Sequence, residues 1–256
     1  MQKLWNVGWE FAEVPLDTPY LDIPENLWHP VRLPHDFLIT DAKALYRDAT
    51  GWYRKTFTCK EEGIDPSLHT FLNFDGVYMD CRVYCNGAEI AEWKYGYSAF
   101  TVDLTDHLIP EAQTSAPQSD GSLKDPQDQG INELLVCVRH QSPNTRWYSG
   151  AGIFRDVTLI QKNLTWIPEN GVYFHAEEVK DENSSAGSEG RSGKAADGDT
   201  FEITIQTEID GTEAAEVTVR QTLKAGCSWR NPTGKACILN RQEDRTRFLR
   251  YLRRLR

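Results

Sequence analysis

The chain has 256 residues, a mass of 29.2 kDa and a formal net charge of −10, with 28 basic against 38 acidic side chains. This length allows one large domain or two modest ones. Because an acidic chain repels phosphate backbones, nucleic acid is not an expected partner. No apolar run approaches the roughly 18 residues that a membrane-spanning helix needs, so a membrane is not an expected partner either.

The cysteines do not have the spacing of a metal site or of a disulfide framework. There is no Cys-x-x-Cys pair and no Cys/His cluster with zinc spacing, so we expect reduced thiols and no metal site. Phosphate loops and dinucleotide fingerprints are also absent, and no cofactor is expected. Since the first residues lack an apolar stretch typical of signal peptides, we expect a cytoplasmic location. The six cysteines are Cys59, Cys81, Cys85, Cys137, Cys227 and Cys237.

The first 52 residues are predicted to be irregular chain that packs against a core. Prolines at short intervals exclude a long helix there. These prolines are Pro15, Pro19, Pro24, Pro30 and Pro34. Large aromatic side chains in the same stretch need an apolar environment, which indicates packing rather than a free segment. They are Trp5, Trp9, Phe11, Trp28, Phe37 and Trp52.

From Tyr53 onward, apolar and polar residues alternate with a period of two, which is typical of half-buried strands. Residues 77–85 form such a strand, and Asn86-Gly87 directly after it is a strong hairpin signal. Further strands are predicted at residues 88–93, 100–104, 134–138 and 154–160. Short strands separated by turns predict a β-sandwich.

Two polar stretches interrupt this pattern. Residues 110–130 hold few large apolar side chains and are predicted to be an exposed loop or an insertion. Residues 177–200, rich in Ser, Gly and acidic residues, are predicted to be a flexible insertion. The alternating residues 201–209 and 217–223 that follow predict strands of a second, incomplete β domain.

The charge changes sign near the end of the sequence. Residues 227–256 carry nine basic and two acidic side chains, a net charge of +7, and the β pattern stops at the same place. Phe248, Leu252 and Leu255 have the spacing of a short amphipathic helix, which would bind an anionic surface. The alternative is a stretch not selected for folding, such as translation past a frameshift, and the abrupt change favours this alternative.

Five motifs give a more specific signal. They are 33–37 (LPHDF), 51–55 (GWYRK), 74–87 (FDGVYMDCRVYCNG), 95–105 (YGYSAFTVDLT) and 146–157 (RWYSGAGIFRDV). In this order and at these separations they resemble the N-terminal sugar-binding domain of glycoside hydrolase family 2. The resemblance is greatest to the β-galactosidase branch and runs from about residue 4 to residue 172.

The resemblance implies an all-β fold, with a jelly-roll, galactose-binding-like β-sandwich followed by a partial immunoglobulin-like β-sandwich. It places the jelly-roll domain at residues 1–170, the incomplete immunoglobulin-like domain at 171–224, and a basic tail at 225–256. In the family a TIM barrel follows and supplies the acid/base and nucleophile glutamates of retaining hydrolysis. A barrel needs about 250 residues. The sequence has no room for one after residue 224, so we assign no catalytic residue.

Four residues are candidates for contacts with a sugar. Trp147 offers an indole face to a pyranose and Arg146 offers fixed donors to hydroxyls; the alternative role of this pair is interdomain packing. In the family, loops of this domain approach the mouth of the barrel. His35 and Asp36 are therefore candidates for hydrogen bonds to sugar hydroxyls, with a turn or helix cap as the alternative.

The sequence thus predicts the carbohydrate-binding N-terminal part of a β-galactosidase-like retaining glycosidase, inactive on its own. Its expected partners are a galactoside-like carbohydrate and the catalytic barrel of the same enzyme. Two alternatives remain open. One is a free-standing carbohydrate-binding module, and the other is a docking module for a separately made barrel.

Overall fold

The computed structural model describes residues 1–41, 43, 45–110, 130–142, 150–179, 200–211 and 219. Within these residues the chain is almost entirely β, with one four-residue helix, α1 (Cys59–Glu62), and three 3₁₀ turns at Tyr20–Asp22, Glu25–Leu27 and Thr105–His107. No helix in this described part is long and apolar enough to cross a membrane. The strands are β1 (Gln2–Leu4), β2 (Trp9–Val14), β3 (His29–Val31), β4 (Ala49–Thr58), β5 (His69–Phe74), β6 (Cys81–Cys85), β7 (Ala88–Trp93), β8 (Phe100–Asp103), β9 (Ile131–His140), β10 (Val157–Lys162), β11 (Thr165–Trp166), β12 (Val172–Val179), β13 (Thr200–Thr207) and β14 (Asp210–Gly211).

The chain divides into two compact units, Met1–Asn163 and Leu164–Arg256. In the first unit, two antiparallel sheets have the strand orders β3-β2-β4-β9-β6-β7 and β1-β10-β5-β8. One hydrophobic cluster contains buried side chains from both sheets, so the sheets pack face to face as a sandwich. The predicted all-β fold built on a β-sandwich is confirmed.

Alternation along the central strand β4 decides which side chains enter this core. Tyr53 and Phe57 point into the sandwich, whereas Trp52 points to the opposite face of the sheet. On that outer face Trp52 packs with Val14 and Leu135 in a second, smaller cluster. The six-stranded sheet is therefore apolar on both faces near β4.

The hairpin predicted at Asn86-Gly87 is present between β6 and β7. Asn86 and Gly87 have φ values of 50° and 83°, as a two-residue hairpin turn requires. The strand before it is shorter than predicted and begins at Cys81. The reason is that Tyr78 pairs with Gly152 outside the regular sheet, in reciprocal backbone hydrogen bonds of 3.0 and 2.8 Å.

The proline-rich N-terminal region is more regular than the sequence predicts. It contributes β1, β2 and β3 to the two sheets, and β4 begins at Ala49. Four of its five early prolines lie between strands. Pro30 lies in β3, which is an edge strand, where a missing backbone donor is tolerated. A short edge strand of this kind leaves almost no alternating pattern in the sequence.

The described part of the second unit contains two small antiparallel pairs, β11 with β14 and β12 with β13. β12 and β13 extend into the predicted insertion by residues 177–179 and by Thr200. Residues 180–199 lie outside the described residues, as do 217–223 apart from 219, and the tail 225–256. The domain boundaries given above stay a prediction.

One charged group lies on the buried face of β4. Lys55 is only 5% exposed, and its Nζ donates to the Val7 carbonyl at 2.8 Å and lies 3.4 Å from Glu62 Oε1. Glu62 also accepts from Lys3 Nζ at 2.7 Å. Burial opposes ionisation of Glu62, but the Lys3 hydrogen bond and the neighbouring ammonium charges outweigh it, so the pKa of Glu62 is lowered.

We expect Glu62→Gln to lower the free energy of unfolding by about 2 kcal/mol at neutral pH, because it leaves the buried Lys55 ammonium without its carboxylate. Since the folded-state pKa of Glu62 is lowered, its contribution is present above the unfolded pKa of about 4.3 and lost as the pH falls through the folded value. Urea unfolding across this pH range measures both effects. Glu61→Gln on the same helix is the exposed control. Equal stability of Glu62→Gln and the unchanged protein at pH 7 would contradict this role.

Candidate functional site

The predicted residues His35 and Asp36 lie in the loop that follows β3. This loop runs beside residues 150–153, which precede β10 in the sequence. The backbone N–H of His35 donates to the Ile153 carbonyl at 2.8 Å, and that of Phe37 donates to the Ala151 carbonyl at 2.9 Å. Two of the five sequence motifs, LPHDF and the second half of RWYSGAGIFRDV, are therefore joined in space. We call this region the loop site. Arg146 and Trp147 lie outside the described residues.

The carboxylate of Asp36 holds the loop site together. Its Oδ1 accepts from the backbone N–H groups of Leu38 at 3.0 Å, Ile39 at 3.3 Å and Ala151 at 3.1 Å. The first two close a turn in the Asp36 loop, and the third ties that loop to the other segment. Gly150 packs against Asp36 Oδ2 so closely that a β-carbon at position 150 would overlap with it. Asp36 thus positions backbone on both sides of the loop site.

His35 is half-buried beside the aromatic side chains of the core. Its Nδ1 lies 2.9 Å from the Tyr53 hydroxyl, and its ring meets Phe11 edge to face with centroids 4.8 Å apart. Burial lowers the pKa of His35, and the nearby His29 adds to this effect against the opposing charge of Asp36. The imidazole is therefore neutral at pH 7, with one donor and one acceptor nitrogen. Within the described residues, Nε2 has no hydrogen-bond partner.

Tyr53 is the residue of this site that the sequence analysis missed. The alternating pattern assigns it to the start of a strand as a core or domain-interface residue, although it also lies in the motif GWYRK. Its side chain is fully buried, its hydroxyl accepts from the Ile153 N–H at 3.3 Å, and it lies 3.4 Å from the His35 carbonyl. Burial raises the pKa of Tyr53, so the hydroxyl remains a donor. The sequence signal that points to a role for Tyr53 in this site is its inward-facing position in a motif that also contains Gly51.

The described residues of the loop site can offer hydrogen bonds, and no pair of carboxyl groups suited to hydrolysis is seen among them. A retaining glycosidase needs two carboxyl groups about 5–5.5 Å apart, one of them free to act as nucleophile. The carboxylate that joins the two segments, Asp36, already accepts three backbone hydrogen bonds at its Oδ1. The free Nε2 of His35 suits a sugar hydroxyl. The described geometry therefore offers hydrogen bonds to a polar ligand.

A family model described as "Glycosyl hydrolases family 2, sugar binding domain" matches residues 25–163, which is more than half of the chain. A putative beta-glucuronidase of Formosa agariphila is 27% identical over 189 residues, or 69% of this chain and 16% of that protein. A beta-galactosidase of Bacteroides ovatus is 31% identical over 193 residues, or 70% of this chain and 20% of that protein. The chain thus spans about a fifth or less of the length of these two curated relatives.

Solved structures show the same fold. A beta-glycosidase from Bacteroides vulgatus superposes with a TM-score of 0.59 at 24% identity, covering 85% of this chain and 25% of the other. A putative beta-galactosidase from Bacteroides fragilis also gives 0.59, at 23% identity, covering 85% of this chain and 30% of the other. At these identities the likeness shows the fold alone.

Proposed function

This chain belongs to glycosyl hydrolase family 2 and carries the sugar binding domain of that family, and from this premise we propose that it is the N-terminal part of a β-galactosidase-like retaining glycosidase. In this proposal the loop site forms one wall of the sugar pocket. The catalytic barrel of the same enzyme, which the 256 residues do not contain, forms the rest and supplies both catalytic carboxyl groups.

The observation that carries the proposal is the joining of the motifs LPHDF and GAGIF in the loop site. Asp36 and Tyr53 fix the backbone of both segments, and His35 presents a neutral nitrogen at their junction. Arg146 and Trp147 directly precede the second segment in the sequence, and we propose that they complete the sugar-contacting wall. A site built in this way orients a sugar ring. In this proposal, the groups that cleave the glycosidic bond lie on the catalytic barrel.

We propose a neutral galactoside rather than an acidic sugar as the substrate. The two curated relatives described above are a beta-galactosidase and a putative beta-glucuronidase by name, so both sugars are candidates. The described groups of the loop site include a neutral imidazole and a carboxylate that is already engaged. Both suit sugar hydroxyls, and we propose that the fixed donors of the Arg146 guanidinium also bind hydroxyls.

The test is a hydrolysis assay of the purified 256-residue chain with nitrophenyl β-galactoside and nitrophenyl β-glucuronide. We expect no release of nitrophenol above the blank with either substrate, because the proposed catalytic carboxyl groups lie on the barrel. Host glycosidases are removed by expression in a strain that lacks them. Sustained turnover of either substrate by the purified chain would contradict the proposal.

A further inference from the structure

A pocket lies on the outer face of the six-stranded sheet, and the loop site does not include it. Its volume is about 480 Å³, which lies in the size range of small-ligand sites. Side chains from three adjacent strands, β4, β9 and β6, form its base. We call it the outer pocket. Among its lining residues are Trp52, Asp80, Arg82, Tyr84, Lys94 and Arg139.

The sheet separates the outer pocket from the loop site. Trp52 lines the outer pocket, while the next residue of β4, Tyr53, points into the sandwich toward His35. The register of the strands fixes the base of the pocket, because Trp52 and Arg82 are both paired with Cys137 of the strand between them. The outer pocket and Tyr53 of the loop site therefore lie on opposite faces of the sheet.

Residues 17–19 form one wall of the outer pocket, and hydrogen bonds hold this segment on the sheet. Trp52 Nε1 donates to the Thr18 carbonyl at 3.1 Å, and the Asp17 N–H donates to Thr50 Oγ1 at 3.1 Å. Arg139 Nε then donates to Asp17 Oδ1 at 2.7 Å. The wall is fixed before any ligand arrives, which reduces the entropy lost on binding.

The base of the outer pocket is aromatic and its rim is charged. The rings of Trp52 and Tyr84 lie 5.9 Å apart at an interplanar angle of 34°. On the rim, Asp80 lies within 3.6 Å of Lys94 and within 3.5 Å of Arg139. An aromatic base suits the apolar face of a pyranose, and a rim of this kind offers donors and acceptors to its hydroxyls.

The cations of the outer pocket are all ion-paired. Arg139 pairs with Asp17, Lys94 pairs with Asp80 and Glu92, and Arg82 lies 3.5 Å from Glu92. Three cations and two carboxylates line the pocket, and Glu92 lies beside the lining, so each cation already has a carboxylate partner and does not need an anionic ligand. Arg82 and Lys94 are 50% and 69% exposed, and their remaining N–H groups are accessible to a ligand.

We propose that the outer pocket binds a neutral carbohydrate chain, with one sugar ring against Tyr84, which packs on the buried Trp52, and with its hydroxyls hydrogen-bonded to Lys94, Arg82 and Asp80. This is a second carbohydrate site, separate from the sugar pocket to which the loop site contributes. Its effect is to hold the protein on an oligosaccharide or polysaccharide. The proposal goes beyond the function proposed above and does not depend on it.

The experiment is titration calorimetry of the full 256-residue chain with β-1,4-galactotetraose, and with tetragalacturonate as the acidic comparison. We expect saturable binding of the neutral tetrasaccharide that is insensitive to added salt. Tyr84→Ala is expected to weaken it about tenfold, because the ring contact is lost. Lys94→Ala, which removes a 69% exposed side chain, is expected to weaken it about threefold.

Tyr46→Ala is the control for the outer pocket, because it removes an exposed tyrosine that does not line the pocket, and it is not expected to alter the affinity. His35→Asn reports any contribution of the loop site to the binding. Absence of saturable binding would overturn the proposal, as would binding that neither Tyr84→Ala nor Lys94→Ala weakens. Binding of tetragalacturonate alone, lost at high salt, would overturn the assignment of a neutral ligand. Loss of binding in His35→Asn would assign the sugar to the loop site instead.

Discussion

Replacing Gly152 by alanine is expected to lower the free energy of unfolding by about 4 kcal/mol, the largest effect of a single methyl group that we predict here. Gly152 has a φ of 134°, a conformation that side-chain-bearing residues rarely adopt. A β-carbon at this position would also overlap with the His35 carbonyl oxygen and the Tyr53 hydroxyl. The carbonyl belongs to the backbone and the Tyr53 ring is fully buried, so neither can turn aside and the loop site itself would have to move.

Gly87→Ala is the matched control for Gly152→Ala. Gly87 also has a positive φ, 83°, but nothing lies within 4 Å of the β-carbon that alanine would add. We expect Gly87→Ala to lower the free energy of unfolding by only about 1 kcal/mol, which is the cost of placing alanine at a positive φ. Urea unfolding of the two variants measures the difference, which isolates the contact with His35 and Tyr53. Equal losses in the two variants would show that the loop site is not tightly packed around Gly152.

Replacing Asp36 by alanine is expected to lower the free energy of unfolding by about 3 kcal/mol. The change removes one oxygen that accepts three backbone N–H groups, from Leu38, Ile39 and Ala151. The Ala151 N–H belongs to a fully buried residue, so it has no ready replacement by water. We expect the two segments of the loop site to separate before the rest of the sandwich unfolds, with early loss of hydrogen-exchange protection at Phe37 and Ile153.

Asp36→Asn separates the structural role of this residue from a role in sugar binding. The amide keeps an acceptor oxygen of the same shape, so we expect it to retain most of the stability, with a loss of about 1 kcal/mol. If Asp36 also contacts a sugar hydroxyl, Asp36→Asn weakens recognition while the fold persists. A loss of stability in Asp36→Ala no greater than in Asp36→Asn would contradict the structural role.

The fold follows from signals that lie close together in the sequence. Alternation in β4 and β9 predicts which faces are buried, and Asn86-Gly87 predicts the hairpin between β6 and β7. The order and spacing of the five motifs indicate glycoside hydrolase family 2. These signals are local or depend on sequence order alone, so a single sequence is sufficient to read them.

The parts that sequence reasoning did not reach depend on contacts between distant segments. Tyr53 becomes part of the loop site because Ile153, one hundred residues later, donates to its hydroxyl. From the sequence, Asp36 is a candidate sugar ligand with a turn residue as the alternative. The hydrogen bond from the Ala151 N–H shows that it also joins two distant segments. The outer pocket likewise needs β9 between β4 and β6, an arrangement that no local pattern in the sequence specifies.

The most direct test of the central proposal, that the loop site forms one wall of a catalytic sugar pocket, is a domain exchange. Residues 1–163 of this chain replace the matching region of the Bacteroides ovatus beta-galactosidase, and hydrolysis of nitrophenyl β-galactoside is measured with and without His35→Asn. This substitution retains a group that reaches the Tyr53 hydroxyl and removes Nε2, so the fold should persist.

We predict that the exchanged enzyme is active, and that His35→Asn lowers its kcat/KM about tenfold at unchanged thermal stability. A folded exchange enzyme that is inactive, or one whose kcat/KM does not respond to His35→Asn, would contradict the assignment of the loop site to the sugar pocket.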